Sequence, residues 1–320
     1  ERMEGYLMVL HLLAYFVLLV TVFRTKKDWM MFFNMFLVTS IFVGSYGVLQ
    51  ILGIKEAIQG GDVRIDGTIG NPTYLAAYLM LTTVLALILL LNASRKFWKY
   101  FYSAAIIFNV FILYFAASRG VTIAILVSLP VALASYLLLS KKDPKEAMHR
   151  KWAVGILAAI ILIPIVFLLV KNQSWVKNSD VLSRFANISF GEKTVRSRFM
   201  IWNMSWQGFK ENPILGWGQE NYLEVFSVEY KPAMYDQEPW FDRSHNIVFD
   251  WLINAGILGL ISYIGIFVSL LWAVIRNLQQ KTINLKEGVV LLVAPLAYFV
   301  QNLFVFDNFN TYVLFFALLA

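Results

Sequence analysis

The chain contains no cysteine, so disulfide frameworks and thiolate metal sites are excluded. Charge is scarce as well. Only 15% of the residues are charged, against roughly 25% in a soluble domain. No P-loop, Gly-x-Ser-x-Gly or His-Glu-x-x-His pattern occurs, which removes three large enzyme classes. No Asp-x-Asp or tight acidic cluster offers hard ligands to magnesium or manganese, and Glu220, Glu224 and Glu229 are too loosely spaced. No metal and no cofactor is expected. Internal repeats, low-complexity segments and a visible signal peptide are also missing. The chain opens on Glu1, not on methionine, and stops at Ala320 inside an apolar run. It reads as a segment of a longer protein.

What is present is apolar: 59% of the residues are hydrophobic. Long apolar runs fall at 7–23, 29–53, 72–91, 100–117, 120–140, 152–170, 246–275 and 287–306, and another starts near 311. About 20 residues suffice to cross a bilayer. Only helices satisfy such continuous runs within lipid. An all-α, polytopic transmembrane bundle of about nine spans is expected in this segment.

The net charge of +7 does not point to nucleic acid, because the basic residues lie in short loops and not on one folded face. "RTKKD" (24–28), "NASRKFWK" (92–99), "KKDPKEAMHRK" (141–151) and "RNLQQKTINLKE" (276–287) alternate with loops that have no basic excess. Positive loops stay in the cytoplasm. Segment 171–245, whose basic and acidic side chains cancel, is therefore placed outside it. The expected organisation is N-terminal spans over 1–170, an extracytoplasmic loop over 171–245 and C-terminal spans over 246–320. The location is the cytoplasmic membrane, with any active site on the outer side.

The long loop carries five tryptophans and many apolar residues, which argues against disorder. Within it Val195, Phe199, Trp202, Trp206 and Phe209 step by four and three, the spacing of one helical stripe. The pattern predicts an amphipathic helix lying flat at the outer membrane surface.

Of three histidines, His149 lies in a basic loop and His11 inside the first span. His245 alone stands at the outer face beside the long loop. A neutral imidazole there suits a general base. The rival reading is an interfacial helix start in which Ser244 caps and Asn246 bonds backbone. Asp250 lies inside the following apolar run and shares a helical face with Asn246. It is expected to orient His245 or to pair with an arginine such as Arg119, and a structural ion pair is the competing reading. Arg64, Arg119, Arg196, Arg198 and Arg243 all fall on the outer side. Guanidinium forks match phosphate oxygens, although arginines also snorkel to lipid phosphates.

Four stretches, "RIDGTIGNPTYLAAYLML", "ASRGVTIAIL", "RSRFMIWNMSWQGFKENPILGWGQENY" and "SHNIVFDWLINAGILGLISY", resemble the O-antigen ligase and polymerase superfamily. The pattern is Arg198 four before Trp202, then Pro213, Gly216 and Gly218, then His245-Asn246 before Gly256 and Gly259. One departure is Thr73, where the family commonly has Asn-Pro-Asn. The resemblance covers about residues 64–265. It implies about a dozen membrane helices with a large periplasmic loop, and glycan transfer from undecaprenyl diphosphate to an acceptor glycolipid, glycan or protein. It also implies that the loop-helix arginine, Arg198, and the histidine after the loop, His245, are the essential pair. Arg64, Arg119, Arg196, Arg243, Asn246 and Asp250 are expected to bind the diphosphate or glycan. The expected route is metal-free and inverting. Rival functions are a flippase or transporter of the same carrier, which would bind diphosphate without cleaving it, and a scaffold for envelope assembly.

Overall fold

The structure, a computed structural model, describes residues 5–59, 64–140, 146–187, 193–235 and 240–320. Residues 141–145 of the basic loop at 141–151 lie outside the described residues. Among the described residues the regular structure is all helical. The helices are α1 (Tyr6–Val22), α2 (Lys26–Ile51), α3 (Pro72–Asn92), α4 (Lys96–Ala116), α5 (Arg119–Leu139), α6 (Ala147–Val170), α7 (Ser174–Lys177), α8 (Asp180–Ala186), α9 (Lys193–Glu211), α10 (Tyr222–Val228), α11 (Ile247–Gln279), α12 (Leu285–Asn302) and α13 (Phe309–Leu319). The chain is a multi-pass membrane protein.

Six helices, α2 to α6 and α11, are long and apolar enough to cross a membrane. The apolar runs predict about nine. The difference lies in α1, α12 and α13. The α1 and α13 helices are shorter, and the eighteen residues of α12 include Lys286, Glu287, Gln301 and Asn302, which dilute its hydropathy.

Local chemistry sets the helix starts. Thr25 and Asp28 close a reciprocal capping box on α2. Asn71 accepts from the Thr73 and Tyr74 amides, and Pro72 fills the first turn of α3. Asn308 and Thr311 box the start of α13.

Two compact units emerge, and neither is continuous in sequence. The larger comprises Thr21–Asn187 and Ala273–Val300. Its axis is α3, which packs against α2, α4 and α5. Ser40, Asn109 and Thr82 hydrogen-bond across α2, α4 and α3 inside this bundle. In α3, 67% of the apolar window is buried by protein, but in α6 only 6%. A helix that is apolar all round and uncovered has lipid as its natural solvent.

The smaller unit comprises Glu1–Val20, Ile188–Trp272 and Gln301–Ala320. Its core joins Ile201 and Met204 of α9, Tyr222, Val225 and Phe226 of α10, Met234, Phe241, and Ile253 of α11. The amphipathic helix forms as expected, but it packs through a different face. Ser197, Ile201, Met204, Ser205 and Gly208 are buried. Phe199 and Trp206 of the aromatic stripe are exposed, and Val195, Trp202 and Phe209 are half-buried. Small side chains let helices approach. A Cβ on Gly208 would stand 3.1 Å from Val225 Cγ2 and 3.3 Å from Ile253 Cδ1.

The α11 helix is interrupted at Gly256, whose φ of 63° and ψ of −162° are not helical. The segment after α9 is laced into the gap. Trp217 N donates to Ile253 O at 2.7 Å, and Ile257 N donates to Pro213 O at 2.9 Å. Gly216, also at positive φ, lies against the same break: a Cβ there would meet the Ala255 nitrogen at 2.7 Å. The Pro-x-x-Gly-x-Gly turn and the Gly-x-x-Gly helix are thus two sides of one backbone contact. Peptide groups at the break, Ile253 O and Ile257 N, find partners in protein.

Candidate functional site

In the smaller unit the site grows from the turn before α11. Asn246, not Ser244, is the helix cap: its Oδ1 accepts from the Val248 amide at 3.0 Å and the Phe249 amide at 3.4 Å. Its Nδ2 donates to Leu303 O at 3.1 Å. The Ser244 hydroxyl donates to Asn246 O at 2.8 Å. Between these two buried residues His245 takes a φ of 52°. A side chain at positive φ costs roughly 1–2 kcal/mol and persists only where the surroundings enforce it.

The imidazole lies between two rings, edge to face with Phe241 at 5.4 Å and Phe306 at 5.3 Å. Its Nδ1 stands 3.1 Å from the Arg243 carbonyl. A carbonyl only accepts, so Nδ1 carries the proton of the neutral ring and Nε2 keeps a lone pair. Burial pushes the pKa of His245 below the ordinary imidazole value of about 6.5. The Arg243 carbonyl opposes that shift, the positive charge of Arg198 reinforces it, and Asp250 and Asp242 oppose it. Arg198 therefore acts on His245 electrostatically. Trp202, one turn on from Arg198, stacks on Phe249, one turn on from His245, at 6.1 Å and 25°.

Asp250 is taken up by Arg243. Nε reaches Oδ1 at 3.0 Å and Nη2 reaches Oδ2 at 2.5 Å, with both side chains almost fully buried. The Arg243 guanidinium also lies 4.5 Å over the Phe306 ring. Arg243, Ser244, Asn246 and Asp250 thus brace the turn that presents His245. Arg196 is exposed on α9. Arg243→Ala would strand a buried carboxylate, which costs about 3–5 kcal/mol. Thermal unfolding in detergent should show a large loss of Tm, partly restored in Arg243→Ala/Asp250→Leu. An unchanged Tm in the single variant would remove the brace.

In the larger unit Arg64 and Arg119 meet a third arginine, Arg184 of α8. Arg119 donates from Nε at 3.0 Å and Nη2 at 2.7 Å to Arg184 O. Arg64 donates from Nε to Ala116 O at 3.0 Å and from Nη2 to Thr73 Oγ1 at 3.3 Å. Thr73, the departure from Asn-Pro-Asn, is therefore an acceptor for Arg64. Burial, then the charges of Arg184 and Arg119, lower the pKa of Arg64 to about 10. Such a concentration of like charge favours the approach of an anion. Asp66 belongs to the scaffold: it is fully buried and accepts from the Ile58 and Gln59 amides and from Gln50.

Sequence reasoning missed Arg184, Phe241 and Phe306. Arg184 is one basic residue in a loop of balanced charge, and the two phenylalanines sit among many aromatics. The one signal for Arg184 was its place in the long segment between α6 and α11 that also carries Arg196, Arg198 and Arg243. Among the described residues no group of three His, Asp or Glu side chains gathers at metal-binding distance.

Comparison with known proteins agrees with the local motifs. The chain is 24% identical over 204 residues to a protein of Haemophilus influenzae described as uncharacterized, a match that takes in 61% of this chain and 50% of that one. The chain thus spans about half the length of this relative. A family model described as O-antigen ligase matches residues 104–264, about half of the chain, including the α4–α5 turn, the α9 helix, the His245 turn and the interrupted α11. The protein belongs to the O-antigen ligase family.

Proposed function

We propose that the protein transfers a glycan from an undecaprenyl diphosphate carrier to an acceptor hydroxyl, at the outer face of the cytoplasmic membrane, with His245 as general base. The observation that carries this reading is the 3.1 Å contact of His245 Nδ1 with the Arg243 carbonyl. Nδ1–H is held by a carbonyl and Nε2 is left able to take a proton.

In the proposed step the acceptor oxygen attacks C1 of the donor sugar. The C1–O bond to the diphosphate breaks, the hydroxyl proton moves to Nε2, and the electron pair leaves with the carrier diphosphate. Direct displacement inverts the anomeric carbon. Arg198 is assigned to the charge that develops on the leaving diphosphate, a contribution worth roughly 10²–10³ in rate per donor. Arg64, Arg119 and Arg184 are assigned to binding of the diphosphate. Arg243, Asn246 and Asp250 are assigned to the turn that aims His245. The exposed Phe199 and Trp206 of α9 are assigned to the membrane interface. The acceptor is a glycolipid, another carrier-linked glycan or a protein hydroxyl.

The depressed pKa gives a test with a definite sign. The active base is the neutral form, and a lowered pKa keeps it neutral to lower pH. The rate of transfer should hold steady as pH falls to about 6.5 and decline only below it. Arg198→Ala, which removes a positive charge from beside the imidazole, should move that acid limb to higher pH. An acid limb that ignores the Arg198 charge would separate the two residues.

A transporter reading draws some support from the interrupted α11, since carriers place ligands at broken helices. Here Trp217 N bonds to Ile253 O and Ile257 N to Pro213 O across the break, so protein backbone already occupies these groups. Release of free undecaprenyl diphosphate by the purified protein, given loaded carrier and acceptor, distinguishes transfer from transport.

A further inference from the structure

The larger unit contains a cavity of about 500 Å³, and of its lining residues the transfer step above names only Arg64. Its walls come from the α2 end and the following loop (Gln50, Lys55, Glu56), from Arg64, from Phe115 of α4, and from Asp180 at the start of α8. We propose that this cavity binds a saccharide: the sugar next to the diphosphate of the carrier-linked donor. This rests on the reading of Arg64, Arg119 and Arg184 as the diphosphate site.

Three features of the cavity point to that ligand class. First, its charges balance, with Lys55 and Arg64 against Glu56 and Asp180, so the lining suits a neutral polar ligand better than an anion. Second, the exposed carboxylates of Glu56 and Asp180 are acceptors for hydroxyl donors, and the Phe115 ring supplies an apolar surface for C–H faces. A polyprenyl tail would leave those charged groups desolvated and unpaired. Third, the volume falls within the ~300–1,000 Å³ of small-molecule sites and has room for about two hexose rings.

Position singles out which sugar. Arg64 is shared: it lines the cavity, and its guanidinium feels the charges of Arg184 and Arg119. In a carrier-linked glycan the first sugar is bonded directly to the phosphate. A pocket that opens off the arginine cluster through Arg64 fits that connectivity. Two bonds hold the shared wall: Ile65 N donates to Phe115 O at 3.5 Å, and Gln50 Nε2 donates to Asp66 Oδ1 at 2.7 Å.

The test compares two probes on the purified full chain: bare undecaprenyl diphosphate, and the glycan-loaded carrier extracted from cells that naturally make the protein. Wild type should bind the loaded carrier more tightly than the bare one. Glu56→Gln and Asp180→Asn keep the shape and remove the charge. Each should shrink the loaded-to-bare affinity ratio about tenfold while leaving bare-carrier affinity unchanged. Arg64→Ala should weaken both probes. An unchanged ratio in both carboxylate variants, or equal binding of the two probes by wild type, overturns the saccharide site. If Arg64→Ala leaves bare-carrier binding intact but the carboxylate variants lower the ratio, the diphosphate assignment fails and the saccharide site stands.

Discussion

His245→Ala is expected to lower the rate of glycan transfer by about 10²–10⁴, with bare-carrier binding retained, because general-base catalysis typically contributes that much. A loss of this size could also come from a collapsed turn, since His245 joins the brace around Asn246. The backbone supplies the control. At φ 52° glycine is at ease and alanine is not, so His245→Gly should fold at least as well as His245→Ala. The glycine variant also leaves an imidazole-shaped space between Phe241 and Phe306. Added imidazole should restore part of the transfer rate in His245→Gly, and more at pH values where free imidazole is neutral. Rescue of that kind needs a missing base. A glycine variant with full activity and no response to imidazole would dismiss His245 from the chemistry.

The second large effect is structural. Gly256→Ala is expected to prevent accumulation of the folded protein. The φ and ψ of Gly256 lie where essentially only glycine goes, at a cost of about 1–3 kcal/mol for any other residue. The new Cβ would also fall against the Ile214 carbonyl and within 2.7 Å of the Leu215 nitrogen. Relief requires the 213–217 segment to withdraw. Withdrawal breaks the Trp217–Ile253 and Ile257–Pro213 hydrogen bonds and strands peptide groups worth about 1–3 kcal/mol each. Together these exceed about 4 kcal/mol, a rare size for one substitution. Gly265 lies further along α11 in regular helix, and a Cβ there would meet no atom within 4 Å. Gly265→Ala should be neutral or stabilising by up to about 1 kcal/mol. Yield in membranes and Tm in detergent would compare the two, and equal behaviour would refute the lacing of α11.

The membrane character was legible because its cause is one-dimensional. A bilayer demands a run of about 20 apolar residues, and such runs can be counted along a chain. The runs at 72–91 and 120–140 match α3 and α5 to within one residue at each end. The α9 helix was legible for the same kind of reason, as a period of three to four. Which of its faces meets protein was not. The aromatic stripe is the louder signal, but Gly208 and Ser205 allow the closer approach, and packing rewards contact distance over hydrophobic content. The expected run at 287–306 forms α12, in which Gln301 and Asn302 at the end of the apolar run lie buried in the fold.

Partnerships were the least legible. Asp250 is seven residues from Arg243, a spacing that means contact only because the chain turns sharply at Ser244–Asn246. Arg184 and Arg119 are 65 residues apart and meet through a backbone carbonyl, which has no letter in the sequence. The amino-acid order by itself determined a multi-helix membrane protein of this family. Only the tertiary structure decided which charges neutralise one another, which carbonyl His245 Nδ1 meets, and where α11 breaks. Those outcomes depend on distances between backbone and side-chain atoms of separate elements, and a distance across the fold is not encoded by any local period or run.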